Sequence, residues 1–315
     1  MAYQTGTAND VLDLADKIAD FAVAQGWTED AGAAGDRYLH SGSCYVRLLG
    51  NLGSAGGPWL YAYGGTGYSA GLVDQSPFSG CNLAVSPVAE YHLFCTAQYI
   101  HCAFLCSSGS WNNLMLGELT KTNNFVGGTY AAGTNFDDNG TTNPQVNLPY
   151  STVHSYPFDC YGYNANYGKA GGWSQVGALR PSDTHKWFAG RQKTPAGDQR
   201  QGNGYITNSW SSTTVNASTD NYTTQNALMP RSNNTFNGLN IMHPLMVNIH
   251  YQDGYYTTLG NPQDVRLVNI KHLNPKDIIT IGSDDWMVFP AKSKVLIDTS
   301  TPYSQYIGYA YLRNV

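Results

Sequence analysis

From Arg37 onward the chain is punctuated every few residues by Gly, Asn, Ser or Pro, and its apolar and aromatic residues come in short runs between these marks. Such punctuation suits hairpins rather than helices and commits most of the 315 residues to β structure. Strands are expected at Cys44–Leu49, Trp59–Tyr63, Glu90–Thr96, Tyr99–Ser107 and Trp111–Leu119. They are expected again at Leu245–Tyr251, Val265–Ile270, Asp277–Ile281, Trp286–Phe289 and Ile307–Leu312. Helical spacing holds only between Asn9 and Gln25, where Val11, Leu14, Ala15, Ile18 and Ala22 recur on one face. Asn9 is the expected N-cap, Gly26 the expected C′ residue, and Asp30–Gly35 the loop that follows.

The expected fold is mainly β, of the α+β kind: an N-terminal helix packed on an antiparallel sheet, long Gly/Asn-rich loops, and a C-terminal β region. Composition divides the chain into a helix and β meander (1–136), an Asn/Thr/Gly-rich loop region (137–240) and a C-terminal β region (241–315), the last packing with the first as one domain. The middle region carries too many aromatic residues for a solvated linker. Trp173, Trp187 and Trp210 are its candidate interface anchors, because buried Trp concentrates interface energy.

Only 12% of residues are charged, about half the usual share of about 25%. The net charge is −5, and no Lys/Arg run could neutralise a row of phosphates, so nucleic acid is not an expected partner. No apolar stretch is long enough for a bilayer, so no membrane is expected either. The first residues lack a basic and then apolar leader, which points to maturation in the cytoplasm.

The cluster His92, Cys95, His101, Cys102 and Cys106 invites a zinc reading, but its spacings are not those of zinc ligands. On a strand, Cys102, Phe104 and Cys106 share one face, as packing requires. Nucleophile elbows and phosphate loops are missing as motifs, so neither a catalytic residue nor a cofactor is assigned and no enzyme activity is expected. The only acids a hydrolase could use are Glu90, Glu118, Asp284 and Asp285, and Gly282-Ser283-Asp284-Asp285 has the composition of a hairpin turn. Of the six cysteines, Cys44, Cys81 and Cys160 lie beside loop-like sequence and are the candidates for intersubunit disulfides once an assembly leaves the reducing cytosol.

Three stretches resemble structural proteins of tailed-bacteriophage virions. The first is Thr5-Gly6-Thr7-Ala8 leading into the helix that ends Gln25-Gly26-Trp27-Thr28. The second runs from Glu90-Tyr91-His92-Leu93-Phe94 through Leu116-Gly117-Glu118-Leu119 to Gly127-Gly128-Thr129-Tyr130. The third spans Asp264-Val265-Arg266, Leu273-Asn274-Pro275, Trp286-Met287-Val288-Phe289-Pro290 and Gly308-Tyr309-Ala310. The resemblance implies a virion component assembled in the host bacterial cytoplasm, in the tail or neck as a collar, terminator or sheath-like ring. Its partners would be copies of itself, six-fold or a multiple, and other tail or neck proteins. The alternative is a receptor- or carbohydrate-binding module of the tail tip or baseplate; a virion-associated hydrolase is a third reading.

Overall fold

The computed structural model describes residues 1–54, 57–76, 79–82, 87–107, 109, 111–133, 172–175, 187–189, 205–207, 242–245, 247–250, 256–270, 272–290 and 307–314. Its architecture is mainly β, with one helix among the described residues and antiparallel pairing throughout. The helix spans Val11–Ala24. Its N-cap is Asp10 rather than Asn9: the Asp10 carboxylate accepts the N–H groups of Leu12 (2.8 Å) and Asp13 (2.9 Å). Asn9 contributes only its backbone N–H, which donates to the Asp13 carboxylate at 2.8 Å. Gly26 follows the C-cap residue with φ +95°, the left-handed conformation expected of a C′ glycine.

The helix is followed by a five-stranded meander in the order Thr28–Ala33, Asp36–Ser41, Cys44–Ser54, Gly57–Gly65 and Ser79–Asn82. Thr28–Ala33 takes up most of the expected loop. It is an edge strand with a bulge between Glu29 and Ala31, and neither of its faces is buried, so no apolar alternation announces it.

The large sheet begins with Ala2–Ala8 and continues through Val88–Cys95, Tyr99–Cys106, Trp111–Lys121 and Thr129–Gly133. Three short strands from the middle region, Gly172–Gln175, Trp187–Ala189 and Tyr205–Thr207, extend it. Tyr256–Pro262 pairs with the far end of Trp111–Lys121 and with Val247–His250. A second five-stranded sheet has the order Met242–Pro244, Val265–Asn269, Ile307–Leu312, Asp284–Pro290 and Ile278–Ile281. Of the expected strand Leu245–Tyr251, Val247–His250 is observed and pairs with Tyr256–Pro262; the separate strand Met242–Pro244 precedes it and belongs to the C-terminal sheet. The expected turn is two residues long, Gly282-Ser283, with Gly282 at φ +64° as a type II′ hairpin asks; Asp284 and Asp285 already belong to the next strand.

Layering follows from side-chain alternation. One face of the large sheet, with Leu93, Cys95, Cys102, Phe104, Leu114 and Leu116, packs on the helix and on the inner face of the meander. The other face, with Phe94, Tyr99, Ala103, Trp111 and Met115, packs on Leu267, Met287, Phe289, Tyr309 and Tyr311 of the C-terminal sheet. Covered on both sides, Tyr99–Cys106 is buried at nearly every residue, which is why it reads as a continuous apolar run.

Candidate functional site

Among the described residues, those singled out from sequence form no single site, although His92 and Glu90 lie 3.0 Å apart. Cys44 is not loop-exposed: Gly42-Ser43 is a two-residue turn, so Cys44 opens a strand and points inward with Val46 and Leu48. It is 1% exposed, and burial pushes its thiol well above the ordinary range, which removes it as a disulfide candidate. Cys95 and Cys106 are raised to about 12 and about 11 by the same burial, and Cys102 is buried beside them. Cys81 lies on the edge strand Ser79–Asn82, whose side chains are outside the description, and Cys160 lies outside the described residues. Trp173 and Trp187 sit in paired strands of the large sheet, Trp173 opposite Ala189 and Trp187 opposite Thr207. Trp210 lies outside the described residues.

The acids are dispersed. Glu118 accepts from the Ser43 hydroxyl at 2.6 Å, Asp285 from the Thr280 hydroxyl at 2.6 Å, and Asp284 from the Asn314 amide at 3.0 Å. Among the described residues no group of three or more His, Cys, Asp or Glu is placed to hold a metal ion, and no helix is long and apolar enough to cross a membrane.

Glu90 belongs to a titratable cluster at the seam where the first strand, the large sheet and the C-terminal sheet meet. The Tyr3 hydroxyl lies 2.7 Å from His92 Nδ1, His92 Nε2 lies 3.0 Å from Glu90, and Lys276 Nζ lies 3.1 Å from the other Glu90 oxygen. The Arg313 guanidinium stands 4.8 Å over the Tyr3 ring. Burial holds His92 below its ordinary pKa against the pull of Glu90, and the same cause raises Tyr3. A neutral imidazole protonated at Nε2 donates to Glu90 and accepts from Tyr3, so the chain is satisfied without charge on the ring. Its parts come from residues 3, 90, 92, 276 and 313, and they gather both ends of the described chain around the strand Val88–Cys95.

A second feature lies on the opposite side of the molecule. The inner face of the meander packs on the helix through Leu39, Val46, Leu48, Leu60 and Ala62, so the alternate residues turn outward. Those residues are Tyr38, His40, Tyr45, Arg47, Trp59, Tyr61 and Tyr63, all half-buried except the buried Trp59. An outward face of an antiparallel sheet is ordinarily polar, and this one is aromatic. Arg47 is held by both Asp36 oxygens at 2.7 Å, and its guanidinium lies 5.0 Å from the Tyr38 ring centre and 5.6 Å from that of Tyr63. His40 stacks on Tyr45 at 4.9 Å and bonds Asp30 at 2.9 Å, and Trp59 lies parallel to Tyr61 at 5.9 Å. Tyr68 meets Tyr38 edge-on at 5.4 Å. Sequence reasoning sought anchors in the polar middle and passed over this face, although Trp59, Tyr61 and Tyr63 already show its period of two.

The chain matches no family model and no curated protein.

Proposed function

We propose that this chain is a structural subunit of a tailed-phage virion, placed in the tail or neck as part of a ring, and that it acts by packing rather than by chemistry. The observation that carries this reading is spatial. The three stretches that resemble virion proteins are far apart in sequence, yet they build adjoining layers of one body: the first strand and helix, the strands from Val88 to Gly133, and the C-terminal sheet. A likeness confined to scattered surface residues would carry less weight than one that falls on the residues forming the core. Cryo-electron microscopy of intact particles tests the proposal. Density for this chain in a layer around the tail axis supports it; density only at a distal tip, or none in the particle, overturns it. The receptor- or carbohydrate-binding reading draws on the aromatic outer face of the meander.

A further inference from the structure

We infer that the free edge of the strand Ile278–Ile281, at the rim of the C-terminal sheet, receives an extended basic segment of another protein, which adds to the sheet as a further strand. The inference stands apart from the virion reading and needs only the geometry and charge of this edge.

Register fixes which backbone groups of this strand are free. Gly282-Ser283 closes a two-residue turn onto Asp284–Pro290, so Ile281 and Ile279 bond inward to Asp284 and Trp286, and the Asp277 carbonyl continues that ladder by accepting the Val288 N–H at 2.9 Å. By alternation the N–H and C=O groups of Ile278 and Thr280 point away from the sheet, and among the described residues they have no partner there. Side chains leave the edge open as well: Ile278 is 39% and Ile281 52% exposed. Other edges of the described sheets are protected. Ala2–Ala8 has its Thr7 carbonyl taken by Lys17, Thr28–Ala33 carries Glu29, Asp30 and a bulge, and Met242–Pro244 ends in a proline. Ile278–Ile281 has no proline, bulge or charge, and an edge left apolar and regular in this way is a template for an added strand.

Charge selects the occupant. Asp277 precedes the strand, and Asp284 and Asp285 lie opposite Ile281 and Thr280 on the neighbouring strand. Each carboxylate bonds only neutral groups: Asp277 takes the Asn274 N–H at 2.7 Å, Asp284 the Asn314 amide at 3.0 Å and Asp285 the Thr280 hydroxyl at 2.6 Å. Two cations stand by but are engaged, Lys276 with both Glu90 oxygens and Arg266 over the Trp286 ring at 4.9 Å. Carboxylates without an ion pair therefore flank the uncharged strand. A second copy suits this edge badly. Two such strands paired antiparallel about Ile279 would bring Asp277 of each beside Asp284 of the other, and like charges across a sheet repel. An extended segment with β-branched residues at its centre and Lys or Arg at its ends complements both features. It would bond the free groups of Ile278 and Thr280, cover Ile278 on one face and Ile281 on the other, and pair its ends with the carboxylates.

Fluorescence anisotropy of the full chain with a labelled Lys-Val-Thr-Val-Lys peptide tests this, with Glu-Val-Thr-Val-Glu as the acidic counterpart. The basic peptide should bind about tenfold tighter than the acidic one, and Asp277→Asn, which keeps an acceptor for Asn274, should narrow that gap about threefold. Thr280→Pro removes an outward N–H and leaves the bonds to Asp284–Pro290 in place, so it should weaken binding about tenfold. Thr280→Val loses only the hydroxyl and should change binding less than about threefold. If the proline variant does not fold, residue-resolved hydrogen exchange of the wild-type chain answers instead. The Ile278 and Thr280 amides should exchange fast in the free chain and slowly under saturating basic peptide; binding that leaves them fast overturns the inference. It is overturned too by no binding of the basic peptide up to about 1 mM, by equal affinity for the two peptides, or by binding that Thr280→Pro leaves unchanged. Self-association abolished by Thr280→Pro, without peptide binding, overturns it in favour of a second copy. The two proposals fail separately: a chain that binds the peptide but is absent from virions refutes the virion reading alone, and a chain found in the tail that binds no peptide refutes only the strand addition.

Discussion

Tyr99 and His101 lie ring on ring, 4.3 Å between centroids and 10° from parallel, and both reach the same turn of the opposite layer. The Tyr99 hydroxyl donates to Asp264 at 2.8 Å, and His101 Nε2–H donates to the Gln263 carbonyl at 2.9 Å. His101 is fully buried, and burial lowers its pKa from 6.5 to about 4 despite Asp264 nearby.

Acid therefore weakens the fold through this residue. Below pH 6.5 the unfolded chain takes up a proton that the folded chain refuses until about pH 4, so stability present at neutral pH is lost as the pH falls through that window. Between pH 7 and 4.5 the loss from His101 alone is about 2.5 kcal/mol. His101→Gln keeps an N–H donor and cannot titrate. It should start less stable at pH 7 and lose about 2 kcal/mol less than wild type on acidification. Urea midpoints at the two pH values check this, and equal losses in both proteins would sink it.

At the seam, two substitutions should separate in size. Tyr3→Phe takes the donor from the nearly buried His92 ring and should cost about 1–2 kcal/mol. Lys276→Met breaks an ion pair whose lysine is 47% exposed and should cost well under 1 kcal/mol. Chemical denaturation at neutral pH ranks them, and the reverse order would contradict the assignment of His92 as the hub.

The helix cap distinguishes two adjacent residues. Asp10→Ala removes an acceptor of two backbone N–H groups and should cost about 1–2 kcal/mol, whereas Asn9→Ala should change stability by less than about 0.5 kcal/mol. A thermal-melt comparison of the two decides, and a larger loss from Asn9→Ala would contradict the cap seen at Asp10.

That swap is typical of what could be read in advance. Trp111–Lys121 and Ile307–Leu312 were legible because burial leaves apolar and aromatic residues in short, bounded runs. Ala2–Ala8 was not, because an edge strand with Gln4, Thr5 and Thr7 buries little and its pairing partner lies more than eighty residues away. Asn9 and Asp10 have equal cap chemistry, and only the backbone conformation selects one. Cys44 was misplaced for want of the turn's length: with Gly42-Ser43 read as a two-residue loop, alternation with Val46 and Leu48 would have sent it inward. The Tyr3–His92–Glu90–Lys276 chain left no local mark, since its members come together only once the sheets stack.

Thiol chemistry offers a direct count. Four of the six cysteines are buried, so native protein should react with a bulky thiol reagent at two sites or fewer, with the remainder appearing on unfolding. A colourimetric titration with and without denaturant reads this, and rapid native modification of Cys44, located by mass spectrometry, would refute its inward placement.

The C-terminal sheet places its latest-made strand at its centre: Ile307–Leu312 lies between Val265–Asn269 and Asp284–Pro290 and pairs with both. During synthesis, the halves on either side emerge from the ribosome with nothing to join them, and they can only wait. A message truncated before Ile307 would yield no smaller version of this layer but two unconnected strand pairs, leaving Phe94, Tyr99 and Trp111 on the large sheet uncovered. The strand order thus makes synthesis of Ile307–Leu312 a condition for closing this layer, and chains cut short before it would announce themselves to proteases by a bare aromatic surface.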